Sequence, residues 1–371
     1  MIYLDNAATG GRKPDTVLTA HASSVKVCAN PGRAGHRLAV VTAKRVEDCR
    51  NALSDFFDGY GAERTVFTKN CTEALNIALF GTLRAGDHVI VSPLEHNSVL
   101  RPLHHLQREG IITYDVCSLS QGTITPDTIR PLLRPSTKLV AVTLASNVTG
   151  ATPNIPAIKA ILPEHTLLLC DGAQAGGHFR VSMQRMGIDL LTLAGHKGLL
   201  GVQGSGALLF SERINPAPLL FGGTGSVSRT LDMPDFYPDA LEAGTLSFPA
   251  ITALCEGVRY LAVHQTEITK KLTALTDYCI KKIHTLPAYT VYSQTNPCGI
   301  IAFKHRFQDS ETVATLLSES YDIAVRGGLH CAPLAHRALK TFPEGLVRAS
   351  FSHYTSTSEI DELVYALSKI S

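Results

Sequence analysis

Between residues 65 and 210, short apolar runs alternate with stretches whose apolar positions recur every three to four residues. The runs Thr65–Thr68, His88–Ser92, Ile112–Val116, Lys138–Leu144, Thr166–Cys170, Asp189–Ala194 and Ala207–Phe210 predict strands. Thr72–Leu83, Asn97–Glu109, Thr125–Leu133 and Ile155–Leu162 predict helices between them. Alternation at this spacing gives an α/β fold with a mostly parallel sheet and helices on both faces. Lys138–Leu144 and Thr166–Cys170 are apolar almost throughout, as expected of strands buried on both faces. The pattern changes after the Gly- and Pro-punctuated segment Phe221–Pro249. A long helix is predicted from Ala250 to about Leu286, with Leu254, Val258, Leu261 and Ile268 at helical spacing. Short strands follow (Tyr289–Tyr292, Gly299–Phe303, Ile323–Arg326, Leu346–Ser350), interleaved with helices at Ser310–Glu319 and Ser358–Ser368. This part predicts a smaller α+β unit.

Composition narrows the function classes. A chain of 371 residues has about two domains' worth of length and can bury a large core without disulfides or metals. Its 34 Lys+Arg nearly cancel 32 Asp+Glu, and no basic run stands out, so capture of nucleic acid or an anionic membrane is not expected. The start, Met-Ile-Tyr-Leu-Asp-Asn, has no basic segment leading into an apolar one, and no uncharged apolar run approaches the ~20 residues that span a bilayer. A soluble cytoplasmic protein is expected. Nine cysteines lie scattered at 28, 49, 71, 117, 170, 255, 279, 298 and 331 with no C-x-x-C pair, which predicts reduced thiols, most of them in the core, and no zinc site.

Four segments carry candidate chemistry. In Leu167-Leu-Leu-Cys-Asp171 a buried strand ends in a carboxylate, at the edge of an open sheet where ligands bind; the same aspartate also suits a helix N-cap. In Gly195-His-Lys-Gly198 a lysine follows an apolar strand between glycines that permit close backbone approach, though a surface turn has the same look. Lys69-Asn-Cys-Thr-Glu73 opens a helix with the spacing of a capping box, and its free N–H groups with the Thr72 hydroxyl suit an anion. In Arg326-Gly-Gly-Leu-His-Cys331, a thiol stands beside a histidine and near an arginine, the setting of a low-pKa thiolate as well as of an inert one. Pro333 suits the first turn of the helix that follows.

The order of these features, with His96 and Asn147 between them, resembles the class V aminotransferase group of fold-type I pyridoxal-phosphate enzymes. Within that group the chain is most similar to the cysteine desulfurase and selenocysteine lyase branch, and the Arg-x-Gly-x-His-Cys pattern resembles its type II subgroup. The likeness runs from Tyr3-Leu-Asp-Asn-Ala-Ala-Thr9 to the C-terminal helix. It implies a large domain, residues 15–249, with a mostly parallel seven-stranded sheet that binds the cofactor. Residues 1–14 and 250–371 would form the smaller α+β domain carrying the cysteine loop. The implied cofactor is pyridoxal 5'-phosphate, held covalently by Lys197. Asp171 would pair with the protonated pyridine nitrogen, which keeps the ring an electron sink. Gln174 would bond the phenolic oxygen and His96 would stack on the ring. The backbone near Cys71, Thr72 and His196 would hold the phosphate, joined by Thr245 of the partner subunit, so a homodimer is implied. Asn147, Arg348 and Arg326 would grip the substrate carboxylate, for which a guanidinium fork is suited, and His36 would line the site. Ala194 departs from the family, which has a hydroxyl residue there; losing such a bond costs on the order of 1.5–3 kcal/mol, so a weaker phosphate cradle is expected.

The implied reaction converts L-cysteine to L-alanine. Lys197 moves the proton at Cα, and the Cys331 thiolate takes the sulfur as a persulfide for delivery to an acceptor protein. Selenocysteine as substrate, another enzyme on the same scaffold and a non-catalytic scaffold remain open alternatives at this level. A transaminase would have no use for Cys331, and a nucleotide-binding oxidoreductase would need a glycine fingerprint that the chain lacks.

Overall fold

The computed structural model describes every residue of the chain except Cys28, Arg33 and Ser371, so the first of the nine cysteines lies outside the described residues. The chain begins with strand β1 (Ile2–Tyr3) and helices α1 (Asp15–Val25) and α2 (Arg37–Phe56). The alternating region follows as β2 (Thr65–Thr68), α3 (Cys71–Thr82), β3 (His88–Val91), α4 (Asn97–Arg108), β4 (Thr113–Val116), α5 (Pro126–Ile129), β5 (Thr137–Thr143), α6 (Ile155–Lys159), β6 (Leu167–Asp171), α7 (Met183–Met186), β7 (Leu190–Ala194) and β8 (Gly206–Phe210).

All seven strands expected in this region form, and they share one sheet in the order β2-β8-β7-β6-β5-β3-β4. Strands β4, β3, β5, β6 and β7 run parallel, whereas β8 is antiparallel to both of its neighbours, β7 and β2. β2 therefore points the same way as β7. The carboxyl ends of β2, β3, β5, β6 and β7 consequently lie along one edge, where an open α/β sheet binds ligands. Every residue of β6, β7 and β8 is buried, which is why their sequences are apolar without alternation. The edge strand β4 is only partly covered and carries Tyr114 and Asp115.

The remainder comprises α8 (Phe248–Ile283), β9 (Tyr289–Val291), β10 (Ile300–His305), α9 (Ser310–Tyr321), β11 (Ile323–Ala324), α10 (Pro333–Ala338), β12 (Val347–Ser350) and α11 (Thr357–Lys369). Its strands form an antiparallel sheet, β12-β10-β9, and a short parallel pair, β1-β11, that ties in the N-terminus. α8 has 36 residues, a length of about 54 Å at the usual helical rise. Its first turn meets α1 and α2, where His21 contacts the Pro249 carbonyl and Cys49 that of Ile251. Its last turns meet α11, where the Tyr278 hydroxyl bonds Asp361. One helix thus spans both sheets' surroundings. Among the described residues no helix is long and apolar enough to cross a membrane, and no group of His, Cys, Asp or Glu could hold a metal ion.

Three departures from the sequence pattern have physical causes. The helix expected over Thr125–Leu133 is α5 followed by a 3-10 turn, Arg130–Leu132, because Pro131 offers no N–H to continue the ladder. α6 stops at Lys159, short of the expected Leu162, and the residue before Pro163 is steered away from helical geometry. Helices α1 and α2 lie outside the elements the pattern predicts. On α2 a core stripe of Ala39, Thr42, Val46, Cys49 and Leu53 exists, but Leu38 and Val40 are more than half exposed on the other side and blur it.

Candidate active site

The strand ends deliver their following residues to one cavity of about 250 Å³. Its lining includes Cys71 and Thr72 after β2, His96 after β3, Asn147 after β5, Asp171 and Gln174 at the end of β6, Ala194, His196 and Lys197 after β7, and Arg326 and Arg348 from the smaller sheets' region. Ten of the thirteen residues that the sequence nominates thus meet in one place. Cys331 stands beside the cavity: Arg326 Nη2 lies 4.0 Å from its Sγ. His36 and Thr245 do not line it. His36 is exposed and caps α2, accepting the Ala39 N–H at 3.3 Å, and Thr245 lines a separate cavity with Lys69 and Glu73.

Asp171 closes β6 as a strand residue and does not cap a helix. Its Oδ1 accepts the Ala173 N–H at 2.9 Å and faces the Cys71 thiol at 3.5 Å. Burial lowers the Lys197 amine from its ordinary value, with Asp171 pulling the other way. The glycine after it is required: a Cβ on Gly198 would stand 2.4 Å from the Gly176 carbonyl. Gln174 donates to the Ala7 carbonyl at 2.9 Å, while its buried Oε1 has no partner.

At the anion pole, Asn70 caps α3 by accepting the Glu73 N–H at 2.9 Å. The Glu73 carboxylate reaches back to Lys69 N–H at 2.5 Å, one residue short of the reciprocal bond of a capping box. Burial raises the Cys71 thiol well above its ordinary value, which favours its neutral form. His196 bonds the Thr9 hydroxyl at 3.0 Å, and its carbonyl takes Lys13 Nζ at 2.9 Å.

At the other pole Arg326 and Arg348 are locked to each other through two backbone bonds of 3.1 and 2.8 Å. The Arg348 side chain is almost fully buried. It donates to the Asn147 carbonyl at 2.9 Å and pairs with Asp5 at 2.7 Å, leaving its buried Nε without a partner. Asp5→Asn should lower stability by about 1–3 kcal/mol, because it strips the carboxylate from a buried guanidinium; an unchanged urea midpoint would contradict this assignment. The cysteine loop is pinned by Asn147 Nδ2 to the His330 carbonyl at 2.8 Å and by Asn97 N–H to the Cys331 carbonyl at 2.7 Å. His330 and Cys331 have φ of 51° and 57°, a left-handed pair that non-glycine residues adopt at a cost. Of the cysteines described, Cys331 alone is exposed.

Several cavity residues carry no distinctive sequence signal. Ser98 lines the site, and Glu95, fully buried and next to His96 in sequence, has its Oε1 accepting the Thr143 N–H at 2.5 Å. Burial, then Asp171, pushes the Glu95 carboxyl well up, which favours its neutral form. A short polar residue beside a histidine and a glutamate before one are too common to nominate; only the fold distinguishes them.

Burial also holds His196, His336 and His353 at about 4, below their ordinary 6.5. Between those values the unfolded chain binds protons that the folded chain refuses, so stability present above pH 6.5 is lost on acidification towards 4. The urea midpoint of the cofactor-free protein should fall steadily across that window. A flat profile there would show that these rings are solvated.

The residues fit pyridoxal 5'-phosphate by their chemistry. A carboxylate and an amine face one cavity, hydroxyl and imidazole donors stand at a helix start, and a guanidinium with a free Nε faces the opposite pole. The Aminotransferase class-V family model matches residues 2–363. A probable cysteine desulfurase of Methanothermobacter thermautotrophicus is 31% identical over 385 residues, covering all of this chain and 94% of that protein. A cysteine desulfurase of Klebsiella pneumoniae is also 31% identical, over 384 residues covering all of this chain and 93% of that one. Among solved structures, the apo cysteine desulfurase of Thermococcus onnurineus superposes with a TM-score of 0.91 at 28% identity, covering 100% of this chain and 94% of that one. An S-sulfonic acid form of an Escherichia coli cysteine desulfurase gives 0.88 at 27%, covering 98% and 93%.

Proposed function

Because the chain belongs to the class-V aminotransferase family, we propose that it is a pyridoxal-5'-phosphate-dependent cysteine desulfurase, taking L-cysteine to L-alanine and retaining the sulfur on Cys331. The observation that carries this reading is the meeting of Lys197 and Asp171 in one cavity, with the exposed Cys331 thiol beside it.

Lys197 would hold the cofactor covalently, and Asp171, Gln174 and His96 would hold its ring. Thr72, His196 and the backbone at Cys71 would hold its phosphate. Bound pyridoxal phosphate would supply an aldehyde for the substrate's amino group and an electron sink for Cα. The residues of the chain do the rest. Arg348, through its unpartnered Nε, and Asn147 and Arg326 grip the substrate carboxylate. The depressed Lys197 amine takes the Cα proton, since burial leaves more of it neutral. The Cys331 thiolate, facing Arg326, forms an S–S bond to the substrate sulfur as the Cβ–S bond breaks. The electron pair stays on Cβ and is protonated to the methyl group of alanine, and a persulfide remains on Cys331 for an acceptor protein.

In this reading residues 15–249 are the cofactor domain, and residues 1–14 with 250–371 the smaller one. The enzyme acts as a homodimer in the cytoplasm. A second copy brings Thr245 to the phosphate, which accords with its position outside this chain's own cavity. The exposed Leu38, Val40, Phe221 and Leu231 supply apolar surface for that contact.

Purified protein supplied with pyridoxal phosphate should acquire a visible band and form alanine from cysteine in step with sulfide released by a reductant. Protein that stays colourless, or alanine that does not appear, contradicts the proposal.

A further inference from the structure

β2 is the outermost strand of the seven-stranded sheet, and side chains close its outward edge. Arg50, buried on α2, donates through Nη1 to the Thr65 carbonyl at 2.6 Å, and Glu242 Oε1 accepts the Phe67 N–H at 2.6 Å. The same two side chains bind each other twice, Nη1 to Oε1 at 2.7 Å and Nη2 to Oε2 at 2.5 Å, and both are buried. This forked ion pair does for the edge of β2 what a neighbouring strand would do. Glu242 stands three residues before Thr245. Beyond Glu242 the next buried residue is Phe248, the first of α8, and Ala243–Ser247 between them is exposed or half-buried, with the Gly244 N–H reaching the Gly223 carbonyl at 2.9 Å. Thr245 itself is exposed, in a cavity it shares with Phe67, Lys69 and Glu73. The ion pair is thus the buried anchor immediately upstream of Thr245.

Resting on the proposed homodimer, in which Thr245 serves the cofactor of the other subunit, we infer that Arg50 and Glu242 are positioning residues that act across the subunit interface: their ion pair ties the Thr245 segment to β2, so that the Thr245 hydroxyl meets the other subunit's phosphate. Neither Arg50 nor Glu242 lines this chain's own cavity. β2 keeps its ladder with β8 whether or not the pair is present, so this chain's own anion pole stays in place. A lesion in the pair is therefore felt in the other subunit's site and not in the site of the chain that carries it.

The test uses mixed dimers of two differently tagged full-length chains. One chain carries Lys197→Ala, so an adduct trapped at Lys197 by borohydride reports the site of the other chain alone. Titration with pyridoxal 5'-phosphate and with pyridoxal, which lacks the phosphate, gives that site's phosphate preference. Arg50→Met with Glu242→Leu, placed in the Lys197→Ala chain, should weaken pyridoxal phosphate capture roughly 10-fold, as the loss of one hydrogen bond to a charged group implies, and leave pyridoxal capture unchanged. The same two substitutions placed in the chain that keeps Lys197 should change neither. Replacing both charges together strands neither of them in the interior. Should that double variant fail to fold, Arg50→Lys, which keeps the charge without the fork, should give a loss of about 3-fold in the first arrangement and none in the second. On a chain that also carries Thr245→Val, the lesion should add nothing, because the residues act as one unit. A loss only in the site of the chain bearing the lesion, an equal loss in both arrangements, or no loss in either would overturn the inference while leaving the cofactor reading intact. A phosphate preference that Thr245→Val leaves untouched would overturn the shared site and this inference with it. Wild-type protein that forms an adduct with neither aldehyde would instead overturn the cofactor reading.

Discussion

Lys197→Ala should lower cysteine turnover by at least 10³-fold, with protein that still folds and still binds pyridoxal phosphate less tightly. The size follows from two losses at one atom. General acid–base transfer by a positioned group contributes typically 10²–10⁴-fold, and covalent capture of the cofactor disappears with the same amine. No other amine substitutes, since Lys13 is committed to the His196 carbonyl at 2.9 Å. Removing the lysine takes a buried cation out of the site, and fold stability should hold or rise, because burial disfavours that charge. Steady-state turnover, cofactor absorption and a urea midpoint on one preparation read all three outcomes. Turnover within tenfold of wild type would place the base elsewhere.

Cys331→Ala should abolish sulfur transfer from cysteine to below a hundredth of wild type while leaving cofactor absorption unchanged. The side chain is exposed, so its loss opens no core cavity, and the left-handed turn that presents it is held by backbone bonds to Asn97 and Asn147 that alanine retains. Persulfide-trapping mass spectrometry on the wild type should find the added sulfur on the peptide holding residue 331. Persistence of full activity in the variant would remove Cys331 from the reaction. Sulfur found on another cysteine would be equally damaging, because the other cysteines described are buried.

The two variants probe features of different legibility. Asp171 ends an apolar run and Lys197 follows one, which singles both out, but a helix N-cap and a surface turn fit them as well until the order of all the segments is taken together. Leu167-Leu-Leu-Cys-Asp171 became β6 with the aspartate as its final residue. The seven strands were legible for the same reason: burial on both faces writes itself as uninterrupted apolar sequence. Helix ends were read less well, since Pro131 and Pro163 end helices that periodicity alone would continue. α2 was hidden because its outer face is apolar too. Ser98 and Glu95 were hidden for another reason. Their residue types are ordinary, and their significance comes from neighbours 26 or 48 residues away, in the contacts of Ser98 with Thr72 and of Glu95 with Thr143. His36 and Thr245 lie outside the chain's own cavity.

The account turns on a covalent attachment at residue 197. Borohydride reduction of the cofactor-loaded protein, followed by protease digestion and mass mapping, should find a pyridoxyl-phosphate adduct on the peptide containing Lys197 and on no other. An adduct on Lys13 or elsewhere, or no adduct in protein that carries the visible band, would contradict it.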